Sequence, residues 1–268
     1  MIFDSKHSEF IKFDNLSKFK DIKHFVSTRK GGISGFKDND LNISFETYDS
    51  SRNVITNRLI LARKLGIDIE SFVMQNQVHG NKVVTISYDD RGKGIYCHEK
   101  VIGDNDAMIT NKQGICLFTF AADCVPILFY DSVNQAIGVA HAGWKGTVKK
   151  IARETVLSMQ KKFKSKQKDI FVGIGPSISV KNYEVGENVV EEVKNAFGTT
   201  DNYMIFNKQT NKFHFDLWYT NTKILTDSGI PKENIELSNL CTLDNSDLFF
   251  SARKEENTGR FGAGIYLL

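Results

Sequence analysis

Residues 115–147 read ICLFTFAADCVPILFYDSVNQAIGVAHAGWKGT. Within them Ile115–Phe120, Ile127–Tyr130 and Ala136–Ala140 are short apolar runs without regular polar alternation. Strands of that kind are buried on both faces, so the sheets they form must be covered by helices or by another sheet. Directly after Thr147 the pattern changes: Val148, Ile151, Ala152, Thr155, Val156, Met159 and Phe163 recur at helical steps. Strands followed by a helix make the class mixed α and β.

The same two patterns recur on either side. Phe25–Ser27, Lys82–Ile86, Ala107–Thr110 and Ile170–Gly173 read as further strands. Ser51 is a fitting cap for a helix whose Val54, Arg58, Leu61, Ala62 and Leu65 share a face and which Gly66 stops. Glu187–Phe197 reads as another helix, with Val189, Val190, Val193 and Phe197 inward, and Asp216 caps one that ends at Gly229. No Gly/Ser/Pro-rich linker, repeat or low-complexity tract interrupts the sequence, which predicts one domain over residues 1–268.

Composition narrows the function classes. With 268 residues, 41% hydrophobic and 25% charged, the chain is of ordinary globular make-up and long enough to fold without disulfides or a structural metal. A net charge of +3, with basic residues scattered, gives no reason to expect nucleic acid or a membrane as partner. The densest basic run, Lys161–Lys168, reads as a solvated helix end and loop. No apolar run approaches the ~18 residues that a membrane span needs, and Asp4 and Glu9 fall where a signal peptide would have its apolar core. The expected compartment is the cytoplasm. Cys97, Cys116, Cys124 and Cys241 lack CxxC or paired spacing and are expected as free thiols.

Reactive residue types concentrate in QNQVHG (75–80), FAADCVPILFYD (120–131) and GVAHAGWKGT (138–147). His79, Cys124 and His141 together would suit zinc, with three protein ligands leaving a fourth position for water or substrate. Their separations of 45 and 17 residues match no compact zinc-finger spacing, so other readings stay open. Cys124 could be a nucleophile with His141 as its base, or a small core residue. Asp123, a carboxylate in an apolar stretch, needs a partner. Gly143 and Gly146 permit close backbone approach, by an anion at a helix start or within a structural loop. Ser27–Gly32 and the turn holding Ser251, Arg253, Gly259, Arg260, Gly262 and Gly264 are polar and basic, and their arginines would suit a phosphate if they turn inward. His7, His24, His98 and His214 have no companion pattern and read as structural; Trp144 either walls a pocket or packs in the core.

Taken together, VSTRKGGISG, NQVHG, GDNDAMIT, FAADCVPILFYD, AHAGWKGT, GIGPSIS with NYEVG, NLCT and SARKEENTGRFGAGIYL resemble the YfiH family, also called the laccase-domain or multicopper polyphenol oxidoreductase family, over nearly the whole chain. The resemblance implies an α+β fold of mixed sheets in α/β/β/α layers, shared with the catalytic domain of cytotoxic necrotizing factor toxins. It implies a zinc held by His79, Cys124 and His141. It also implies purine nucleoside phosphorylase activity toward adenosine, inosine, guanosine and methylthioadenosine, together with adenosine deaminase activity. The partners are then purine nucleosides and phosphate, with Arg29, Arg253 and Arg260 as candidate phosphate contacts. Copper is a less fitting metal and polyphenol oxidation a less fitting reaction, because several coppers need many histidines and the chain has six. A cysteine hydrolase or amidase using Cys124 and His141 is the other alternative. Two departures bear on substrate contacts: Lys181 and Asn182 stand where many relatives carry a cysteine pair before the tyrosine, and Ala252 replaces an aromatic or histidine.

Overall fold

A computed structural model describes residues 10–37 and 39–268. Its centre is a pair of mixed sheets. The first has six strands in the order Ile235–Leu237, Ile170–Ile174, Val125–Asp131, Ala136–Ala142, Ala107–Thr110, Val83–Thr85. The second has five, in the order Phe10–Ile11, Ile22–Ser27, Phe261–Leu267, Cys116–Ala121, Phe72–Val73. Inner pairings are antiparallel, whereas Ile235–Leu237, Val83–Thr85 and Phe72–Val73 join as parallel edge strands.

Three cores show why the strands lack polar alternation. Leu128, Tyr130, Ile137 and Val139 face Leu117, Ala263 and Ile265 between the sheets. On the opposite face of the six-stranded sheet, Ile127, Phe129, Ala136 and Ala140 pack on Ile151, Ala152, Val156, Leu225 and Val193 from helices. On the outer face of the five-stranded sheet, Phe25, Cys116 and Phe118 meet Leu61 and Ala62. Successive residues thus point to opposite faces, and both faces are apolar. The order through the molecule is helices, sheet, sheet, helix.

The helices follow their end signals. Ser50, one residue before the expected cap, accepts the Asn53 N–H, and Gly66 closes helix Ser51–Leu65 in the left-handed region at φ 58°. Glu187–Phe197 is helical as its period predicts. Asp216 accepts the Tyr219 N–H to cap Leu217–Asp227, and the chain turns away at Gly229 with φ 91°. The helix expected after Thr147 differs: a short helix Trp144–Val148 ends, Lys150 takes φ 60°, and a second helix runs Ile151–Phe163. The apolar period survives the break because Val148 and Ile151 still face the same core.

The largest correction concerns the C-terminus. The glycine-rich stretch taken for a basic turn continues into strand Phe261–Leu267 at the centre of the five-stranded sheet. Gly262 and Gly264 sit within that strand because a Cβ at either would enter the rings of Phe118 or Phe25. Strands Met204–Asn207, Lys212–Phe215 and Glu184–Val185 form a small third sheet. His7, Asp4 and Glu9 lie outside the described residues. Among those described, the four cysteines are free and no helix is long and apolar enough to cross a membrane.

Candidate metal centre

The chain passes from one sheet to the other through residues 122–124, between strands Cys116–Ala121 and Val125–Asp131. Cys124 sits on that crossing. Beside it Asp123 holds φ 86°, a left-handed conformation that a non-glycine residue keeps only when its surroundings fix it. They do so here: its carboxylate accepts the Thr242 hydroxyl at 2.5 Å and the Arg253 amide at 2.7 Å, and its carbonyl accepts the Ile178 amide at 3.0 Å. These are the partners that an acid in an apolar stretch requires.

His141 lies in strand Ala136–Ala142, opposite Pro126. His79 lies on the segment between Gln75–Asn76 and Val83–Thr85. Gln77 fastens that segment to the end of strand Cys116–Ala121, donating to Phe120 O at 3.0 Å and accepting from Phe120 N at 2.8 Å and the Thr119 hydroxyl at 3.0 Å. Asp106, fully buried at the start of strand Ala107–Thr110, meets both histidine segments. It accepts the amides of Val78, His79 and Gly80 at 3.2, 3.0 and 2.6 Å, and lies 2.8 Å from His141 Nδ1. Gly143 is the remaining requirement, since a Cβ there would stand 2.9 Å from both Cys124 Sγ and His79 Cδ2.

The ligand atoms of His79, Cys124 and His141 all lie within 4.8 Å of one another. Cys124 Sγ is 3.9 Å from His79 Nε2, and the two imidazoles meet edge to face with centroids 4.8 Å apart. His141 is buried, Cys124 is partly buried and His79 is exposed, so the cluster opens to solvent on one side. Burial works against charge on the Cys124 thiol, but the adjacent His141 and His79 outweigh it and hold the thiol below its usual range. Burial likewise works against charge on His141, and the thiolate with Asp106 outweighs it and raises the imidazole. Two imidazole nitrogens and a stabilised thiolate form the three-donor set of an open zinc site. A buried carboxylate on the far nitrogen of one histidine is the outer support such sites carry. The residues therefore fit a metal of borderline softness, and suit oxygen-seeking calcium or magnesium poorly.

The three expected arginines part company. Arg29 is 2% exposed, and its guanidinium is fully engaged by both Asp40 oxygens, both Glu255 oxygens and Ser246 O. Its five N–H donors meet five acceptors, and two carboxylates already balance its charge. Arg253 is exposed at the rim, with its amide on Asp123, its guanidinium 5.3 Å from the Tyr183 ring centroid and Nη1 on Glu184 O. Arg260 is held below its usual range by burial, partly offset by the charges of Cys124, Glu46 and Asp123, and its Nη1 donates to Thr258 O at 3.0 Å and Gly259 O at 2.9 Å. Tyr183 is pushed up by burial and then by Cys124, and its ring lies beneath the Arg253 guanidinium. Asp106 and Tyr183 were not singled out from sequence. GDNDAMIT contains both Asp104 and Asp106, and only the fold shows that Asp106 turns to the histidines while Asp104 takes the Asn76 side chain at 2.7 Å. Trp144 is half-buried against the helical core, His24 accepts the Phe13 amide, His214 faces Val180 O and His98 lies 3.7 Å from Glu46.

The chain is 35% identical to a purine nucleoside phosphorylase of Bacteroides thetaiotaomicron over 269 aligned positions, covering 100% of this chain and 99% of that one. It is 35% identical to adenosine deaminase RL5 from an unknown prokaryotic organism, over 96% and 98% of the two chains. The crystal structure of Bacillus licheniformis YfiH superposes with a TM-score of 0.91 at 29% identity, covering 99% of each chain. The model of the multi-copper polyphenol oxidoreductase laccase family matches residues 23–268, and the chain belongs to that family.

Proposed function

We propose that the protein is a zinc-dependent purine nucleoside phosphorylase that also deaminates adenosine. The observation that carries the reading is the convergence of His79, Cys124 and His141 within 4.8 Å in a chain similar end to end to proteins named for those two activities. Those three residues would hold the zinc, which would supply Lewis-acid polarisation of water or substrate when bound. In phosphorolysis a phosphate oxygen bonds to C1′ of the ribose as the glycosidic bond breaks, and the base leaves with the electron pair and takes a proton. Arg253, exposed, and Arg260, partly buried, offer positive charge to the incoming phosphate. In deamination water replaces the amino group at C6 of adenine and ammonia leaves. His79, the exposed ligand, marks the side from which a nucleoside enters. Copper oxidation suits the residues less well, because among the described residues this is the one cluster of metal-binding type.

A second reading has an observation of its own. Cys124, His141 and Asp106 stand in the order thiol, imidazole, carboxylate, which is the arrangement of a cysteine hydrolase. Product analysis separates the two. Purified protein incubated with adenosine should yield adenine and ribose 1-phosphate only when phosphate is present, and inosine in either buffer. Cys124→Ala should lose both. Zinc-loaded protein that turns over no purine nucleoside would overturn the proposal. Rapid alkylation of Cys124 by iodoacetamide in zinc-loaded protein would favour the hydrolase, since a bound thiolate is protected until a chelator is added.

A further inference from the structure

We propose that Asp106 is the positioning residue of the metal centre, fixing both histidine ligands through one carboxylate; the proposal rests on the zinc reading above. Each oxygen has two donors. Oδ1 takes the His79 amide at 3.0 Å and His141 Nδ1 at 2.8 Å, and Oδ2 takes the amides of Val78 at 3.2 Å and Gly80 at 2.6 Å. The group is fully buried, so its charge persists only because those four bonds replace water.

Two consequences reach the ligands. Because a carboxylate accepts only, the neutral imidazole that a metal requires would carry its proton on Nδ1, leaving the Nε2 lone pair for the metal. Because three successive amides converge on one group, the loop is held in the conformation that leaves His79 at φ 57° and points its ring at Cys124. Asp106 also accepts the His141 amide on its own carbonyl at 2.7 Å, so the strand and the side chain act on the same ligand. An amide in place of the carboxylate would face two of these donors with an NH2 group.

The test compares Asp106→Asn with Asp131→Asn. Asp131 is an equally buried carboxylate that caps a turn, accepting the Val133 and Asn134 amides at 2.9 and 3.0 Å, and it touches none of the three ligands. Zinc affinity, measured by competition with a chromophoric chelator, should fall about 10- to 100-fold in Asp106→Asn and stay within twofold of the parent in Asp131→Asn. The visible absorption of the cobalt(II)-substituted protein should change in the first variant alone. Equal affinity and an unchanged cobalt spectrum in folded Asp106→Asn would overturn the proposal. Should that variant not fold, ring-nitrogen NMR of the zinc-loaded parent decides: a proton on His141 Nδ1 is expected, and a proton on Nε2 would overturn it. If the parent itself binds neither zinc nor cobalt, the metal reading falls and takes this proposal with it, an outcome distinct from failure in the variant alone.

Discussion

His79 and Asp123 both hold positive φ, at 57° and 86°, where side chains other than glycine are unusual. Such strain costs about 1–3 kcal/mol per residue and persists where neighbours over-determine the backbone; here the neighbours are Asp106, Thr242 and Arg253. At this scale the sequence was partly legible. Histidine and cysteine are scarce, at six and four, so the three residues of the cluster stand out as types. Asp106 is one of 32 acidic residues and nothing local distinguishes it. The surroundings of Arg29 are not legible locally, because Glu255, one of the two acids that neutralise it, lies 226 residues away. His24 shows how burial turns an ordinary histidine into a stability determinant. It is 5% exposed, its Nε2 accepts the Phe13 amide at 2.8 Å, and burial followed by the nearby Lys12 charge lowers its pKa to about 4. The unfolded chain binds the proton first, near pH 6.5. This contribution is therefore complete above pH 6.5, is lost as pH falls toward 4, and changes no further below that. It amounts to about 3 kcal/mol at 1.36 kcal/mol per unit. Urea unfolding should show stability falling less between pH 6.5 and 4 in His24→Gln, whose amide oxygen can still accept from Phe13. Equal slopes in both proteins would assign the acid sensitivity to other groups.

Among elements, those with apolar period and capping residues were readable, and those built on exceptions were not. Ala107–Thr110 and Glu187–Phe197 agree with expectation at both ends because their pattern and their burial coincide. Strand Phe261–Leu267 was hidden because glycine normally marks turns; here it makes room for aromatic rings that approach from a neighbouring strand, which sequence alone does not place. The break at Lys150 was hidden for the converse reason, since lysine carries no signal for φ 60°. The other end of that helix offers a direct measure of such strain. Lys164 closes Ile151–Phe163 at φ 62°, a left-handed position that Gly66 and Gly198 occupy at the ends of Ser51–Leu65 and Glu187–Phe197. Lys164 is exposed, and its amide bond to Gln160 O would survive substitution. Lys164→Gly should stabilise the protein by about 1 kcal/mol, read as a higher urea midpoint with unchanged m-value. A lower midpoint would mean that the greater freedom of glycine in the unfolded chain outweighs the strain relieved.

Across the whole molecule the cluster of His79, Cys124 and His141 lies where its two sheets exchange a chain. Cys124 is on the crossing from the five-stranded to the six-stranded sheet, His141 is in the six-stranded sheet, and Gln77 sews the His79 segment to the strand that leads into the crossing. Asp123 adds the C-terminal turn through the Arg253 amide, just before strand Phe261–Leu267 closes the five-stranded sheet. A zinc held at that junction would bind the native arrangement and not the unfolded chain, whose ligands lie 45 and 17 residues apart. Linkage then requires a stability gain that grows with free zinc, about 2.7 kcal/mol at a hundredfold excess over the dissociation constant. For a chain of this size that is a rise in Tm of roughly 5–10 °C. Thermal unfolding of chelator-stripped protein should show the rise on zinc addition and its reversal on renewed chelation, and Cys124→Ala should show neither. A Tm indifferent to zinc in the parent would mean that the three ligands, though assembled, do not hold the ion at the concentrations tested. An equal rise in Cys124→Ala would place the stabilising zinc elsewhere on the molecule.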